Sequence, residues 1–318
     1  MKSDSNKLRS SLFLLLAAVI WGFAFAAQSV GMEYIGSFTF TSVRFILGAA
    51  VLLPVVWVMR RGKARALPEE NRACLKLLLR GGVTCGVFLC IATNLQQFGI
   101  KYTTVGKAGF ITAFYIVLVP VFGLFLKKNC SPLIWAAVAL SVVGLYLLCI
   151  RDGFSLGKGD ALVMLCAVFF AFQILSVDHF SPLVSGIELS ICEFLVCAVL
   201  SGIPALLFEQ PSVTALLAAW KPVLYTGIFS SGIAYTLQIL GQKGLHPAVA
   251  SLIMSLESCI SVLAGWLILG QKLSRREIAG CVIMFAAILL AQVPDTKEKN
   301  DPKKSLPFPE RPSGEDAL

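Results

Sequence analysis

Ten stretches of this chain are apolar for about the length that a helix needs to cross a lipid bilayer. They lie near 11–31, 37–59, 78–99, 105–126, 132–150, 159–179, 187–208, 221–242, 247–269 and 277–293. About 30 Å of hydrocarbon at 1.5 Å of rise per residue calls for ~20 residues. Inside hydrocarbon a backbone N–H finds no water, so it must be paired within its own segment, and these runs are read as helices. Polar surface is too scarce for any other home. Charged residues make up 14% of the chain, against about 25% in a soluble domain.

The expected fold is therefore an all-α integral membrane protein with ten transmembrane helices. The connections are short. The longest, about 60–77, is basic, and no room remains for a separate soluble domain. From Pro294 the chain turns rich in Lys, Pro and Glu and loses all periodicity, which reads as a disordered tail. The predicted layout is a cytoplasmic N-terminus at 1–10, spans at 11–150 and 159–293, and a cytoplasmic tail at 294–318.

A net charge of +9 invites a nucleic-acid partner, but the placement of the charges argues against one. With the N-terminus inside, 18 of the 27 Lys and Arg residues fall on the inner side, 8 on the outer, and Arg44 lies within a helix. Such a bias orients helices in a bilayer, so both termini are expected to be cytoplasmic. The segment with Lys272, Arg275 and Arg276 runs against the rule. The ten cysteines sit singly in apolar helices, with no CxxC pair and only two histidines in the chain. They read as small buried apolar groups, with no disulfide, metal site or cofactor expected.

The chain also repeats itself. "LQQFGIKYTTVGKA" (95–108) aligns without gaps on "LQILGQKGLHPAVA" (237–250) at an offset of 142, with Leu95/Leu237, Gln96/Gln238, Gly99/Gly241, Lys101/Lys243 and Ala108/Ala250 identical. "LAAVIWGF" (16–23) matches "LCAVFFAF" (165–172) at offset 149, and there Arg44 falls on Glu193. Ser131 matches Ser274 at offset 143. The slip from 149 to 142 falls at the long basic loop of the first half. Spans 1–5 thus recur as 6–10. Five is odd, so the second copy enters the membrane from the opposite side, giving an inverted repeat as in many secondary transporters. The first run looks like a signal peptide, with a basic flank and a small-residue site at Ala24 and Ala26. Its counterpart in the sixth run assigns it to the fold instead.

Local signals mark helix ends and contacts. Ser131 and Pro132 open the fifth span, Ser274 and Glu277 form a capping box for the tenth, and Pro247 starts the ninth. Gly82 and Gly86, and Gly227 and Ser231, give small faces for close helix packing. Lys101, Lys107 and Lys243 lie near helix ends and are expected to snorkel to the interface.

Several stretches resemble the EamA family of the drug/metabolite transporter superfamily: "AAVIWGFAF", Arg44 with Phe45, "GKAGFITAFYIVLVP" (106–120), "LVMLCAVFFAFQILSVD" (162–178) and "SLESCISVLAGWLILGQKLS" (255–274). The resemblance covers about 8–292. It implies a ten-helix carrier of two five-helix repeats that exports amino-acid-like or related small metabolites. Two positions depart from the family pattern. Ser258 stands where the family often has proline, which bears on the kink of the ninth span, and Gln271 stands where it often has glutamate.

Polar groups inside spans are costly, about 2.5–3.5 kcal/mol for a central charge, and are site candidates for that reason. Glu257 lies ten residues into its span, ~15 Å deep and near the midplane, where inverted-repeat carriers bind substrate. It is the candidate amine ligand or proton acceptor. Tyr115 and Trp21 lie at similar depth. Gln28, Asn94, Gln96, Gln97, Gln173, Tyr235 and Gln238, with Phe110 and Phe114, are the further candidate lining of a central cavity. Arg44 and Glu193 sit six or seven residues into helices that enter from opposite faces, so the depth estimate puts them ~10 Å apart along the normal. Local polar partners are expected for each, in structural or gating roles.

No phosphate-binding motif and no carboxylate pair poised for hydrolysis is present, so the chain is read as a non-enzyme without ATP coupling. The reading is a plasma-membrane secondary transporter, in bacterial terms of the inner membrane, with a small-molecule substrate and the lipid bilayer as partners. It is compatible with a homodimer. The alternatives are a carrier or flippase of a lipid-linked or amphipathic substrate, a membrane-embedded enzyme using Asp178 and His179, and a non-transporting accessory subunit.

Overall fold

The computed structural model describes residues 2–61, 68–128, 130–149, 157–269, 274–291 and 293. Within the described residues the apolar runs are helical apart from short turns at 113–114 and 255–256. In order they are α1 (Lys2–Gly31), α2 (Ser37–Arg60), α3 (Pro68–Ile100), α4 (Val105–Thr112), α5 (Tyr115–Phe125), α6 (Pro132–Cys149), α7 (Lys158–Phe180) and α8 (Gly186–Pro204). There follow α9 (Val213–Ala218), α10 (Trp220–Leu224), α11 (Thr236–Gln242), α12 (Pro247–Met254), α13 (Glu257–Leu269) and α14 (Arg275–Ala291). Two π-helical segments, Ala205–Glu209 and Tyr225–Tyr235, continue α8 and join α10 to α11. Among the described residues eight helical stretches are long and apolar enough to cross a membrane. Two shorter apolar helices, Pro132–Leu147 and Ile278–Ala291, lie where the fifth and tenth spans are expected. The predicted tail at 294–318 lies outside the described residues, as do Gln271 and Lys272. The basic connection is shorter than the sequence suggested, because α3 already begins at Pro68, a residue suited to a first helical turn.

Burial sorts the spans into an inside and an outside. The α12–α13 span is 89% buried, whereas the α2 and α8 spans are only 33% buried. The outward faces of α2 and α8 stay apolar at Val58, Val199 and Ile203, and large apolar groups held outward suit lipid and not water. Around the α12–α13 span, α1 packs on α13, α11 and the second π segment, while α4, α5 and α7 close the other side. Outside these, α3 lies along α7 and α8, α2 along α8, and α6 pairs with α14.

Small residues let these helices touch. A side chain at Gly86 of α3 would come within 2.8 Å of the Glu193 carbonyl and 2.7 Å of Val196 Cβ on α8. A side chain at Gly48 of α2 would come within 2.8 Å of Ser231 Cβ, and one at Gly227 within 2.8 Å of Leu47 Cβ. The small faces read from the sequence are contact faces in the fold. Helix ends are tied by acids. The Glu209 carboxylate accepts from Phe38 N at 3.0 Å, Thr39 N at 2.8 Å and Thr39 Oγ1 at 2.7 Å, capping the free amides that open α2. Buried Asp160 opens α7 and accepts from Thr103 Oγ1 at 2.7 Å and Lys107 Nζ at 2.6 Å. Lys107 is therefore held by a carboxylate and does not simply snorkel. At the other end of α7, Asp178 is paired with Lys128, so it is engaged in a structural contact and is not a free catalytic group.

Two spans are broken in the middle. α4 yields to α5 at Ala113 and Phe114, and α12 to α13 at Ser255 and Leu256. The breaks use the same tightened bonds. Phe114 N donates to Ile111 O at 3.2 Å and Ile116 N to Ala113 O at 3.0 Å; 142 residues on, Leu256 N donates to Ile253 O at 3.2 Å and Ser258 N to Ser255 O at 3.1 Å. In the second break Ser251, Ser255, Ser258 and Ser261 each donate to the carbonyl three residues back, at 2.7–2.9 Å. Such back-bonding bends helices. The break in this span is thus present with serine, not proline, at position 258.

The close approach at Gly86 gives a direct test. Gly86→Leu must displace backbone, so it should lower stability by about 1–3 kcal/mol. Gly106→Ala, whose methyl meets only Val262 at 3.7 Å, should stay within about 0.5 kcal/mol of wild type. Denaturant unfolding in detergent reads both. Equal stability of the two variants would remove the α3–α8 contact as a determinant of the fold.

Candidate functional site

The broken spans meet at a small cavity, and each break delivers a polar side chain to it. Tyr115, the first residue of α5, donates its hydroxyl to Glu257 Oε1, on the first residue of α13, at 3.0 Å. Both side chains are buried. The carboxylate sits where the amides of α13 begin, and a helix start favours negative charge.

From α1 come Trp21, Phe25 and Gln28, from α2 Arg44, from α3 Gln96 and from α4 Thr112. Phe170, Gln173 and Ile174 of α7 face them. The second π segment adds Ser230 and Tyr235, α11 adds Gln238 and α12 adds Met254. Ten of these fifteen lining residues form five pairs spaced by the offsets of the internal sequence match: Trp21/Phe170 and Phe25/Ile174 at 149, and Gln96/Gln238, Thr112/Met254 and Tyr115/Glu257 at 142.

The polar groups are mostly bound to each other. Arg44 Nη1 donates to Gln28 Oε1 at 2.9 Å. Gln96 Nε2 donates to Thr112 Oγ1 at 3.1 Å. Gln238 Nε2 donates to Gln173 Oε1 at 3.0 Å, and Gln173 Nε2 to Glu193 Oε1 at 3.1 Å. Trp21 Nε1 reaches the Ser230 carbonyl at 3.3 Å, and its ring lies edge-on to Tyr235 at 4.9 Å. The π geometry of 225–235 shifts its backbone bonds by one residue, a local irregularity frequent at functional sites.

Of the candidates from the sequence, Glu257, Tyr115, Trp21, Gln173, Tyr235 and Gln238 line this cavity, and so do Gln28, Gln96 and Arg44. Asn94 does not. Its amide bonds Cys90 O and Ser201 Oγ, both at 2.8 Å, and ties α3 to α8. Gln97 is fully buried and donates to the Gln28 carbonyl at 3.3 Å, joining α3 to α1. Phe110 packs on the apolar core, and Phe114 sits in the break before α5. Glu193 stands behind Gln173 and outside the lining.

Arg44 and Glu193 form no ion pair with each other, and each bonds a glutamine. Their chain neighbours Phe45 and Phe194 lie ring to ring at 5.5 Å, so α2 and α8 pack together here, and the two polar side chains turn to different partners. The missed lining residues Phe25, Thr112, Phe170, Ile174, Ser230 and Met254 are apolar or small, and nothing in an apolar helix tells a cavity face from a lipid face. The one signal that could have found several of them was the repeat itself, applied to each candidate in turn.

The free volume of the cavity is about 30 Å³. That holds one or two waters and no organic solute. Any cargo must displace the lining side chains from each other before it fits.

The Tyr115–Glu257 bond is open to a double-mutant cycle. Tyr115→Phe and Glu257→Gln should each destabilise the fold, and the double variant should cost less than their sum by about 0.5–1.5 kcal/mol. Strict additivity in detergent unfolding would mean the two groups do not interact.

Comparison with known proteins gives this architecture a family. The model of the EamA-like transporter family matches residues 8–150 and again 157–292. An uncharacterized transporter of Archaeoglobus fulgidus is 26% identical over 296 residues, spanning 91% of this chain and 87% of the relative. The uncharacterized inner membrane transporter YedA of Escherichia coli is 27% identical over 290 residues, 89% of this chain and 90% of YedA. Protein PagO of Salmonella typhimurium is 22% identical over 294 residues, 91% and 94% of the two chains. A solved crystal structure superposes with a TM-score of 0.70 over 89% of this chain and 96% of its own, at 20% identity, which speaks for the shared fold alone. The family is one of transporters, the Archaeoglobus relative and YedA carry that description, and this chain, a multi-pass membrane protein, belongs to the EamA-like transporter family.

Proposed function

We propose that the chain is a secondary transporter that moves a small organic metabolite across the plasma membrane by alternating access, with export of an amino-acid-like solute as the reading the resemblance favours. Ten spans as two inverted five-helix repeats are part of this reading, with both termini cytoplasmic. The observation that carries it is the cavity built on five offset-related residue pairs, with a break in one span of each half delivering Tyr115 and Glu257 to the same point. Binding at the interface of two repeats, on discontinuous helices, is the design of secondary carriers. The two successive family matches, at 8–150 and 157–292, support the duplication, and α6 and α14 supply the fifth and tenth helices.

Glu257 is the central functional group in this reading. It is the acid of the cavity lining, and a buried carboxylate there can take an ammonium group or a proton in exchange for the Tyr115 hydroxyl. The aromatic walls of Trp21, Phe25, Phe170 and Tyr235 suit the apolar body of a solute. No feature favours ATP-driven movement, and Asp178, the residue an enzymatic reading would use, is held by Lys128.

Glu257→Gln should abolish transport by the purified chain in proteoliposomes while leaving a folded, monodisperse protein in detergent. Undiminished flux through the variant would discard Glu257 as the working group. No flux of any solute through the wild-type chain alone would favour an accessory subunit instead.

A further inference from the structure

Among the described residues Arg44 is the largest fully buried side chain, 1% exposed, and it forms no ion pair with an acid among them. Among the described residues its one hydrogen bond runs from Nη1 to Gln28 Oε1 at 2.9 Å. Nε and Nη2 are buried and have no partner. The guanidinium otherwise lies 4.9 Å from the centre of the Phe45 ring and 5.9 Å from that of Phe40. Ring faces attract a cation, but they do not satisfy its N–H groups.

The two idle donors are not a random pair. Nε and Nη2 form one edge of the planar guanidinium, two parallel N–H groups that match the two oxygens of a carboxylate. Gln28 holds the opposite corner and so fixes the plane of the group. An unpaired buried charge is expensive, and buried donors left unmade cost more than those that were never there. The residue also lines the cavity whose other charged lining residue is Glu257.

We infer that Arg44 is the anion ligand of the cavity: its Nε/Nη2 edge takes the carboxylate of the cargo while Glu257 takes the cationic end, so that the transported solute is a small zwitterion with an apolar body. This rests on the reading of the cavity as a transport site, and it adds to that reading a second ligand and a charge pattern for the cargo. The internal match strengthens the assignment. At offset 149 Arg44 corresponds to Glu193, which bonds Gln173 and lies outside the lining. The duplicated position therefore contributes its cation to the cavity and withholds its acid, which gives the site a fixed polarity.

The test uses the full chain in detergent and in proteoliposomes. The probes are α-amino acids with apolar side chains, the same compounds with the carboxylate converted to a carboxamide, the N-acetyl forms, and the matching aminoalkyl phosphonates. Zwitterionic amino acids should raise the unfolding temperature and be transported. The carboxamides and the N-acetyl forms should bind at least about tenfold more weakly, the loss expected when one charged partner is left unmatched. Phosphonates that bind as well as amino acids would define the site as one for anions in general; amino acids alone would define it as a carboxylate site. Arg44→Gln should remove the preference for the zwitterion over its carboxamide, and Arg44→Lys should restore it in part, because charge returns without the fork.

Equal binding of amino acid and carboxamide to the wild-type chain would overturn the assignment, as would undiminished selectivity in Arg44→Gln. A response of the wild-type chain to none of the probes would also overturn it. Transport of some other, uncharged solute that survives Arg44→Gln would leave the carrier reading standing while the zwitterion reading falls. If Arg44 instead serves as an internal partner of Glu193, then Arg44→Gln and Glu193→Gln will couple in unfolding experiments and leave ligand selectivity untouched. The comparison on the wild-type chain keeps the proposal testable even should a variant fail to fold.

Discussion

In a membrane every backbone amide must find its partner inside the protein, and the shape of this chain follows from that demand. It makes each apolar run a helix and makes any interruption costly unless the freed groups are bonded again. The chain interrupts two spans nonetheless, at Ala113–Phe114 and Ser255–Leu256; the second interruption lies in the most buried span and the first at a fully buried alanine. Tightened bonds to the carbonyl three residues back take up the slack there, and in the second break the serines bond freed carbonyls as well. Only because the breaks are tolerated can Tyr115 and Glu257 each stand at the head of a half-helix and face each other.

The proposed duplication would account for the two breaks lying together in space. Two halves related by a two-fold axis would bring equivalent positions together only on that axis. The Tyr115–Glu257 bond and the Phe45–Phe194 ring contact both join positions that the sequence match makes equivalent. A backbone written twice gives such a pair for free, but identical side chains there could not hydrogen-bond well if both were acids. Divergence supplies the missing complementarity: a hydroxyl opposite a carboxylate, and an arginine where the other copy has a glutamate. At these aligned positions the backbone is alike and the chemistry is not.

Much of this was legible in the residues. The positions of the eight long apolar helices followed from run lengths, and Glu257 stood out as an acid inside one of them. The glutamines stood out because polar groups in hydrocarbon are rare. What escaped is what one-dimensional counting cannot carry. Phe170, Ile174 and Met254 look like any lipid-facing residue, and their place in the cavity depends on helix rotation. The π segment at Tyr225–Tyr235 alters that rotation part-way along a helix, with nothing but a cluster of glycine and serine to mark it. For Arg44 and Glu193 the residues pointed to local polar partners, and what they did not show is that α2 and α8 pack together beside them. Asn94 and Gln97 carried the same polar signal as Gln96 yet serve as ties between helices, since neighbours on one helix point in directions about 100° apart.

The small cavity then has a consequence for energetics. In this conformation the lining groups satisfy one another, Tyr115 with Glu257, Gln28 with Arg44, Gln238 with Gln173, and about 30 Å³ remains open. A solute that enters must break some of these bonds, and each broken bond is a cost set against the contacts it makes. The net gain is small by construction, because one set of hydrogen bonds is exchanged for another. A binding protein would lose affinity by such a design. A carrier gains from it, since cargo held too tightly would not leave on the far side, and the exchange lets the emptied site close over its own side chains. Arg44 is the exception within this economy. Its Nε and Nη2 have no hydrogen-bond partner among the described residues, so in the proposed role a contact with a cargo carboxylate would displace no internal bond at that edge, and the full strength of a charge-assisted pair would be available to select the solute.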